Sequence, residues 1–184
     1  MTGQIKLYAA ERKFSRFFRI MRHRPVNTFS EVNIMQLSQK ETDLLKDMKD
    51  QEMLCVEKYT KHSQSAIDPQ LKNLFSQFAQ TEREHYDMLV QMEQGTVPSP
   101  AVASGAMPTF SATYQTEETP DKQNDCYLCT DLLTTEKHAS HLYDTCIFEF
   151  ADENARNLLN SIQKQEQGHG KAIYDYMSVN GMYS

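Results

Sequence analysis

The sequence predicts an all-α protein, a four-helix bundle made of two duplicated antiparallel helical hairpins. Four stretches carry apolar residues in steps of three and four, the spacing that places side chains on one face of a helix. A constant offset of 84 positions relates the first two stretches to the last two, for example Leu44 to Leu128 and Asp68 to Asp152. An internal repeat of this kind indicates two copies of one supersecondary unit, here a helical hairpin.

Length and composition are compatible with this class. The 184 residues suit one domain with a substantial core, and 39% hydrophobic residues with six glycines are typical of a helical globular protein. The net charge of −6 gives no reason to expect nucleic-acid binding by the whole molecule. No apolar run approaches the roughly 20 residues that a membrane span requires. The N-terminus lacks the apolar core of a secretory signal, so we expect synthesis in the cytoplasm without a signal peptide.

Start and stop signals place the first hairpin at residues 36–94. Ser38 and Glu41 form a capping-box pattern that opens the first long helix. Asp68 followed by Pro69 predicts an N-cap with proline at the first helical position of the second helix. Gly95 ends that helix.

Residues 95–122 change character and predict an exposed linker, because four prolines appear among serine, threonine, alanine and glycine. These 28 residues can travel back along a second helix of about 40 Å. A long crossover between the second and third helices is the connection that ferritin-like bundles use. The second hairpin then occupies residues 123–184, with its turn at Ala151 and Asp152 and its end near Gly181.

The N-terminal segment, residues 1–35, predicts a basic amphipathic extension. Apolar residues fall at helical spacing, and residues 1–34 carry seven lysines and arginines against two glutamates, a balance of +5. Such a helix suits an acidic partner surface or an anionic lipid surface. One alternative is a helix that folds back on its own acidic bundle, and a second is that translation starts at Met35, so that this stretch is not part of the native protein.

Six polar residues interrupt the predicted core faces. They are Glu52, Glu82, His85, Glu136, Glu166 and His169. Each hairpin thus holds one lone glutamate and one Glu-x-x-His pair, whose two side chains project from one helix face. Because residues equidistant from the turn of a hairpin lie at one height, each lone glutamate faces the Glu-x-x-His pair of its partner helix. Two such sets form the ligands of a carboxylate-bridged dimetal site in a four-helix bundle.

Four carboxylates in an apolar core must be protonated, paired or bound to cations. Lysine and arginine are absent from the predicted core faces, so internal salt bridges do not resolve the repulsion. We therefore expect two divalent metals, and a ligand set rich in carboxylate and poor in imidazole suits iron or manganese. The alternative is a layer of protonated carboxyl–histidine hydrogen bonds, or one that opens to water.

Other candidate groups are assigned structural roles. Tyr59 and Tyr143 stand seven residues after the lone glutamates and are predicted ordinary core tyrosines, with groups that support the ligands or redox-active groups as the alternatives. Three further histidines show no partner pattern and are predicted non-ligands: His62, His138 and His141. The four cysteines are predicted thiols rather than a disulfide framework. They are Cys55, Cys126, Cys129 and Cys146.

Residues 164–177 (KQEQGHGKAIYDYM) and 180–183 resemble the C-terminal signature of the spore coat protein F family, as do 131–137 and 147–151. The resemblance is strong over about 125–184 and extends through the repeat to 36–94. It implies that residues 36–184 are a ferritin-like coat F domain and that the protein lies in the coat of bacterial endospores. Other coat proteins are then the expected partners, and a homo-oligomer stays open. Gly168 stands where the family pattern has glutamate.

Two functions follow from these observations. The first is a structural or interaction protein of the spore coat whose bundle holds a dimetal site. The second is an enzyme, a dimetal oxidase, peroxidase or catalase that uses the same six residues. A rubrerythrin-type enzyme with its own electron-transfer module is disfavoured, because that module needs two CxxC pairs and only Cys126 and Cys129 form one.

Overall fold

The structure, a computed structural model, describes residues 35–99, 108–114 and 117–183. These residues form four α-helices: α1 (Gln39–Ser65), α2 (Pro69–Glu93), α3 (Pro120–Glu149) and α4 (Glu153–Val179). The helix α1 packs along α2, and α3 packs along α4; α1 also contacts α3, and α2 contacts α4. The predicted all-α bundle of two hairpins is confirmed. The basic segment predicted over residues 1–34 lies outside the described residues.

The first hairpin begins and turns where its capping residues predict. Ser38 accepts a hydrogen bond from the backbone of Glu41 at 3.3 Å, and the Glu41 carboxylate accepts one from the backbone of Ser38 at 2.7 Å. Asp68 caps α2 by accepting from the backbone N–H of Gln70 at 2.8 Å. The chain leaves α2 through Gly95, whose φ of 83° suits a residue without a Cβ atom.

The second hairpin begins earlier than the composition of the linker predicts. Thr119 accepts a hydrogen bond from the backbone N–H of Lys122 at 3.2 Å, and Pro120 occupies the first turn of α3. The predicted boundary at residue 123 is therefore wrong by three residues, because Pro120 is a helix-initiating residue here and not a linker residue. Asp152 caps α4 by accepting from the N–H of Ala155 at 2.9 Å.

Two buried carboxylates dock each hairpin onto the turn of the other. The Glu41 side chain in α1 accepts from the backbone N–H of Ala151 at 2.9 Å. The Asp125 side chain in α3 accepts from the N–H groups of Ile67 and Asp68 at 2.8 and 2.9 Å. The offset of 84 relates Glu41 to Asp125 and Ile67 to Ala151, so the two contacts are equivalent. Each inter-helix turn thus lies beside the first turns of a helix of the other hairpin, and α1 runs antiparallel to α3.

The crossover between α2 and α3 is anchored where the structure describes it. The side chain of Asn180 accepts from the backbone of Thr113 at 2.8 Å, and the hydroxyl of Tyr114 donates to Asp125 at 2.7 Å. The rings of Phe110 and Tyr176 meet edge to face with centroids 5.5 Å apart. Residues 108–114 are therefore held against the end of the bundle that contains the first turn, although several of their side chains are exposed.

The apolar core consists of two clusters separated by a polar layer. The cluster near the first turn includes Leu71, Phe75, Leu132 and Tyr176. The cluster near the second turn includes Leu45, Met88, Leu158 and Ile162. On every helix the predicted glutamates and histidines fall between the residues of the two clusters. None of the helices in the described part of the chain combines the length and apolar character that a bilayer crossing needs.

Candidate metal centre

The six predicted ligands meet in one layer across the middle of the bundle. The helices supply Glu52 (α1), Glu82 and His85 (α2), Glu136 (α3), and Glu166 and His169 (α4). All six are buried, and the most exposed of them, His169, has 5% of its surface accessible. The structure therefore brings together every residue that the sequence predicts for the site. That these residues bind metal stays a prediction.

Three carboxylates surround His85. Its Nδ1 atom lies 2.9 Å from Oε1 of Glu166, 3.3 Å from Oε2 of Glu82 and 3.5 Å from Oε2 of Glu52. These residues come from three helices, so the cluster forms only when the two hairpins dock. We call Glu52, Glu82, His85 and Glu166 the first donor group.

A second set of carboxylates surrounds His169. Its Nδ1 atom lies 2.7 Å from Oε1 of Glu82, 3.7 Å from Oε1 of Glu136 and 3.9 Å from Oε2 of Glu166. We call Glu82, Glu136, Glu166 and His169 the second donor group. In each group, one ligand atom per residue lies within 4.8 Å of the other three.

The two donor groups share Glu82 and Glu166. Each of these carboxylates has one oxygen near His85 and the other near His169. A carboxylate that faces two sites with different oxygens is the arrangement that bridges a pair of metal ions. The lone glutamates Glu52 and Glu136 each belong to one donor group only.

Burial leaves many of these donors without a hydrogen-bond partner. In the part of the chain that the structure describes, nine buried side-chain nitrogen and oxygen atoms lack a hydrogen bond, and all nine belong to the six residues. The imidazole nitrogens approach carboxylate oxygens closely but without hydrogen-bond geometry. Buried polar atoms are normally satisfied, and leaving a charged one unpaired is costly. Two cations between these donors would satisfy them, so the residues fit a dimetal centre.

Electrostatic effects differ among the carboxylates. Burial raises the pKa of Glu166 well above its usual value, and the charge of Glu82 adds to the effect. Burial also raises the pKa of Glu52 to about 8. Burial opposes the ionisation of Glu82 as well, but the neighbouring His169 and His85 outweigh it and lower the pKa of Glu82.

The histidines respond in the opposite sense. Burial alone would lower their pKa values, but the surrounding carboxylates, Glu166 first, raise the pKa of His85 well above its usual range. Glu82 likewise leads the groups that raise the pKa of His169 to about 9. Without metal the layer therefore holds protons at neutral pH, and a metal ion must displace them to bind.

Two tyrosines support the lone glutamates across the interface between the hairpins. The hydroxyl of Tyr59 in α1 donates to Oε1 of Glu136 in α3, and the hydroxyl of Tyr143 in α3 donates to Oε1 of Glu52 in α1 at 2.5 Å. Both tyrosines are fully buried, and burial raises their pKa values well above the usual one, so that the phenols stay protonated as donors. They are at once core residues and supports for the candidate ligands. Sequence spacing alone left this choice open.

One further interaction escaped the sequence reading. His62 in α1 lies 2.8 Å from the carboxylate of Asp131 in α3, which also pairs with Lys58 at 2.8 Å. Sequence reasoning missed this pair because the partner lies on another hairpin, at no characteristic spacing. The four cysteines are free thiols, and burial raises the pKa of Cys146 to about 11.

Comparison with known proteins identifies a family for the second hairpin. Residues 124–184 match the model of the family described as the Coat F domain. Over 66 residues, the chain is 35% identical to the uncharacterized protein YusN of Bacillus subtilis (strain 168). This match covers 36% of the chain and about 60% of the length of that relative. The family resemblance read from the sequence is confirmed over the C-terminal third.

Proposed function

Since residues 124–184 carry the Coat F domain, we propose that this chain is a component of the proteinaceous coat of bacterial endospores whose four-helix bundle binds two iron or manganese ions. The domain match supports the location, and with it other coat proteins as partners. The match does not reach the first hairpin, so the metal site rests on the geometry of the bundle itself.

The shared carboxylates carry the metal assignment. Glu82 and Glu166 each present one oxygen to each donor group, and the buried atoms without hydrogen bonds coincide with the six residues. Four carboxylates and two imidazoles favour iron or manganese over zinc or copper. A purely structural polar layer would instead be expected to satisfy its own hydrogen bonds.

Each part of the layer has a role in this proposal. Glu52 and His85 would hold one ion, Glu136 and His169 would hold the other, and the two shared glutamates would serve both. Tyr59 and Tyr143 hold the lone glutamates in place by hydrogen bonding to one oxygen, which leaves the other oxygen for the ion. The surrounding apolar clusters keep most of the layer away from solvent. When bound, iron or manganese would supply redox chemistry toward dioxygen or peroxide.

Metal analysis of the chain, purified without chelators and reconstituted with Fe²⁺ or Mn²⁺, tests the dimetal centre. We expect about two ions per chain, the number that six ligands and two bridges hold. The double variant Glu82→Ala/Glu166→Ala should abolish binding while circular dichroism shows helicity largely intact. Glu84→Ala is the matched control, because Glu84 lies on the same helix but is exposed. Fewer than one ion per wild-type chain would leave a protonated polar layer as the explanation.

Fractionation of spores tests the coat location. We expect the chain in the coat fraction, and we expect the Glu82→Ala/Glu166→Ala variant there as well, because its exposed surfaces are unchanged. Charge reversal at Arg12, Arg16 and Arg19 should reduce incorporation, since the positive charge of residues 1–34 should steer the chain toward acidic partners. Recovery of the wild-type chain outside the coat would contradict this part of the proposal.

A dimetal oxidase, peroxidase or catalase is the second candidate. The observation that favours it is the small accessible surface of His169, which offers a small oxidant a route to the layer. Peroxide consumption by the metal-loaded protein decides between the candidates. Turnover that the Glu82→Ala/Glu166→Ala variant loses, together with peroxide-sensitive spores that still assemble their coat, would make the enzyme the better assignment.

A further inference from the structure

The two donor groups are related by the repeat, yet they differ in their access to solvent. The side chain of His85 is fully buried, whereas 7% of the side-chain surface of its equivalent, His169, is accessible. The lone glutamates differ in the same direction, since Glu52 is fully buried and Glu136 keeps 2% of its surface accessible. The more accessible histidine and the more accessible lone glutamate belong to the same group, the second.

Side chains next to the first donor group contact one another on the first hairpin. Arg83 in α2 contacts the sulfur of Met53 in α1 at 3.1 Å, and its guanidinium lies 5.7 Å from the centre of the Tyr86 ring. Each of these three residues directly follows a ligand in the sequence. The contact between Arg83 and Met53 thus joins the two helices of the first hairpin at the height of the first donor group.

The equivalent positions of the second hairpin hold Lys137, Gln167 and Gly170. Lys137 and Gln167 are exposed, and Gly170 has no side chain to contribute. A Cβ atom at Gly170 would lie 3.5 Å from Cδ1 of Leu133 and 3.8 Å from Cβ of Glu136, so the backbone of α4 packs closely against α3 beside the second donor group. The second hairpin therefore has no counterpart of the Tyr86 side chain beside its donor group.

One aromatic ring lies over the accessible histidine. Phe78 in α2 stacks on His169 with ring centres 4.0 Å apart and an angle of 30° between the planes. Phe78 is partly buried and packs against the cluster near the first turn. Its repeat equivalent, Ile162, is fully buried. The second donor group, which keeps some solvent-accessible surface, is thus the one against which the partly exposed Phe78 ring packs.

We propose that divalent metal ions enter and leave the centre on the His169 side, that Phe78 gates this route, and that the ion held by His169 and Glu136 exchanges faster than the ion held by His85 and Glu52. This inference rests on the proposed dimetal centre and adds an order of exchange to it. An arriving ion first meets the histidine and the lone glutamate that keep accessible surface. Passage to the first donor group then leads through the shared glutamates.

Loss of Mn²⁺ to excess EDTA tests the proposal. The chain is loaded with two Mn²⁺ per molecule and mixed with EDTA, and the metal that stays with the protein is measured after rapid desalting. We expect wild-type protein to lose one ion in a fast phase and one in a slow phase. Phe78→Ala should accelerate the fast phase by about tenfold or more, because the ring no longer has to leave its contact with His169. The slow phase should change much less.

Three variants control this experiment. Ile162→Ala removes the side chain at the equivalent position of the repeat, in the core cluster near the second turn, and the rate of the fast phase should stay within about twofold of the wild type. Phe78→Leu keeps most of the apolar volume without an aromatic ring, and should give an intermediate rate if Phe78→Ala fails to fold. Glu136→Gln should remove the fast-leaving ion, whereas Glu52→Gln should remove the slow-leaving one, which assigns the phases to the donor groups.

The outcomes separate this inference from the metal centre itself. Loss of both ions in one phase, an unchanged fast phase in both Phe78 variants, or equal acceleration of both phases would overturn the inference while leaving the centre in place. Equal acceleration would mean that the ions leave by general opening of the bundle. A wild-type chain that takes up no Mn²⁺ or Fe²⁺ would overturn the centre and the inference together.

Discussion

Replacing both shared glutamates by leucine should make the protein without metal more stable than the wild type without metal. In the presence of metal the variant should be the less stable of the two, because it cannot bind the ions. The four carboxylate oxygens of Glu82 and Glu166 are buried without hydrogen bonds. Each unsatisfied buried polar group costs about 1–3 kcal/mol of folding free energy. Leucine has a similar volume and none of these polar atoms, so Glu82→Leu/Glu166→Leu should relieve part of this cost.

The expected gain is smaller than the sum of the four oxygens. Removing the carboxylates also takes away the closest neighbours of His85 and His169, which stay buried. Replacement of buried charged networks by apolar residues typically gains about 1–4 kcal/mol, and about 2 kcal/mol is a reasonable value here. For a chain of this size, that corresponds to a rise of about 4–8 °C in the Tm of the metal-free protein.

Thermal and urea unfolding, each with and without Mn²⁺, measure both effects. Free metal at a hundred times its Kd should stabilise the wild type by about 2.7 kcal/mol for each bound ion and the variant not at all. Glu84→Leu controls for added leucine on an exposed face and should change stability by less than about 0.5 kcal/mol. A metal-free double variant less stable than the metal-free wild type would refute the reasoning, because the carboxyl groups would then be stabilising the layer through their own hydrogen bonds.

Three further results are expected. Asp125→Ala should reduce the free energy of unfolding in urea by about 2–3 kcal/mol, and Glu41→Ala should reduce it by about 1–2 kcal/mol. Each change leaves backbone N–H groups at the turn of the other hairpin without an acceptor. Stability equal to that of the wild type would contradict the docking role. Tyr143→Phe should weaken Mn²⁺ binding in a titration by about tenfold with unchanged helicity, because Glu52 loses the hydrogen bond from the tyrosine hydroxyl. An unaltered affinity would make Tyr143 an ordinary core residue. The apparent affinity for Mn²⁺ should rise with pH up to about 9. The pKa of Glu52 is raised to about 8 and that of His169 to about 9, so protons compete with the metal until the pH passes these values. An affinity that stays constant over this range would contradict proton competition.

The repeat explains how much of the site could be predicted from the sequence. A hairpin fixes the relative heights of its own residues, so the positions of Glu52 and Glu82 follow from their distances to the turn. The offset of 84 then transfers the same arrangement to Glu136 and Glu166. Hydrophobic patterning and capping residues place all four helices, apart from the first turn of α3.

Contacts between the hairpins could not be predicted in the same way. The partner of Tyr59 is Glu136 rather than the glutamate on its own helix, and this depends on how α1 docks against α3. The equivalent contacts of Glu41 and Asp125 depend on the same docking. A signal for both was present, because the offset of 84 pairs Glu41 with Asp125 as well as Tyr59 with Tyr143. Polar residues that recur at the same offset of 84 as the candidate ligands are therefore candidates for contacts between the two hairpins.

The difference between the two donor groups has another origin. The repeat predicts equivalent environments, whereas the substitutions around each group break that equivalence. The offset of 84 makes Tyr86 equivalent to Gly170 and Phe78 equivalent to Ile162. Only the packed structure shows that the backbone at Gly170 lies close to Glu136 and that the Phe78 ring lies on His169.

The most direct test of the account is anomalous diffraction from crystals of the chain loaded with Mn²⁺ or Fe²⁺. We expect two anomalous peaks in the middle layer, one within the first donor group and one within the second, with Glu82 and Glu166 bound to both ions. Crystals of Glu82→Ala/Glu166→Ala grown under the same conditions should show neither peak. A wild-type layer without anomalous density under saturating metal, or metal bound only outside these six residues, would contradict the central claim.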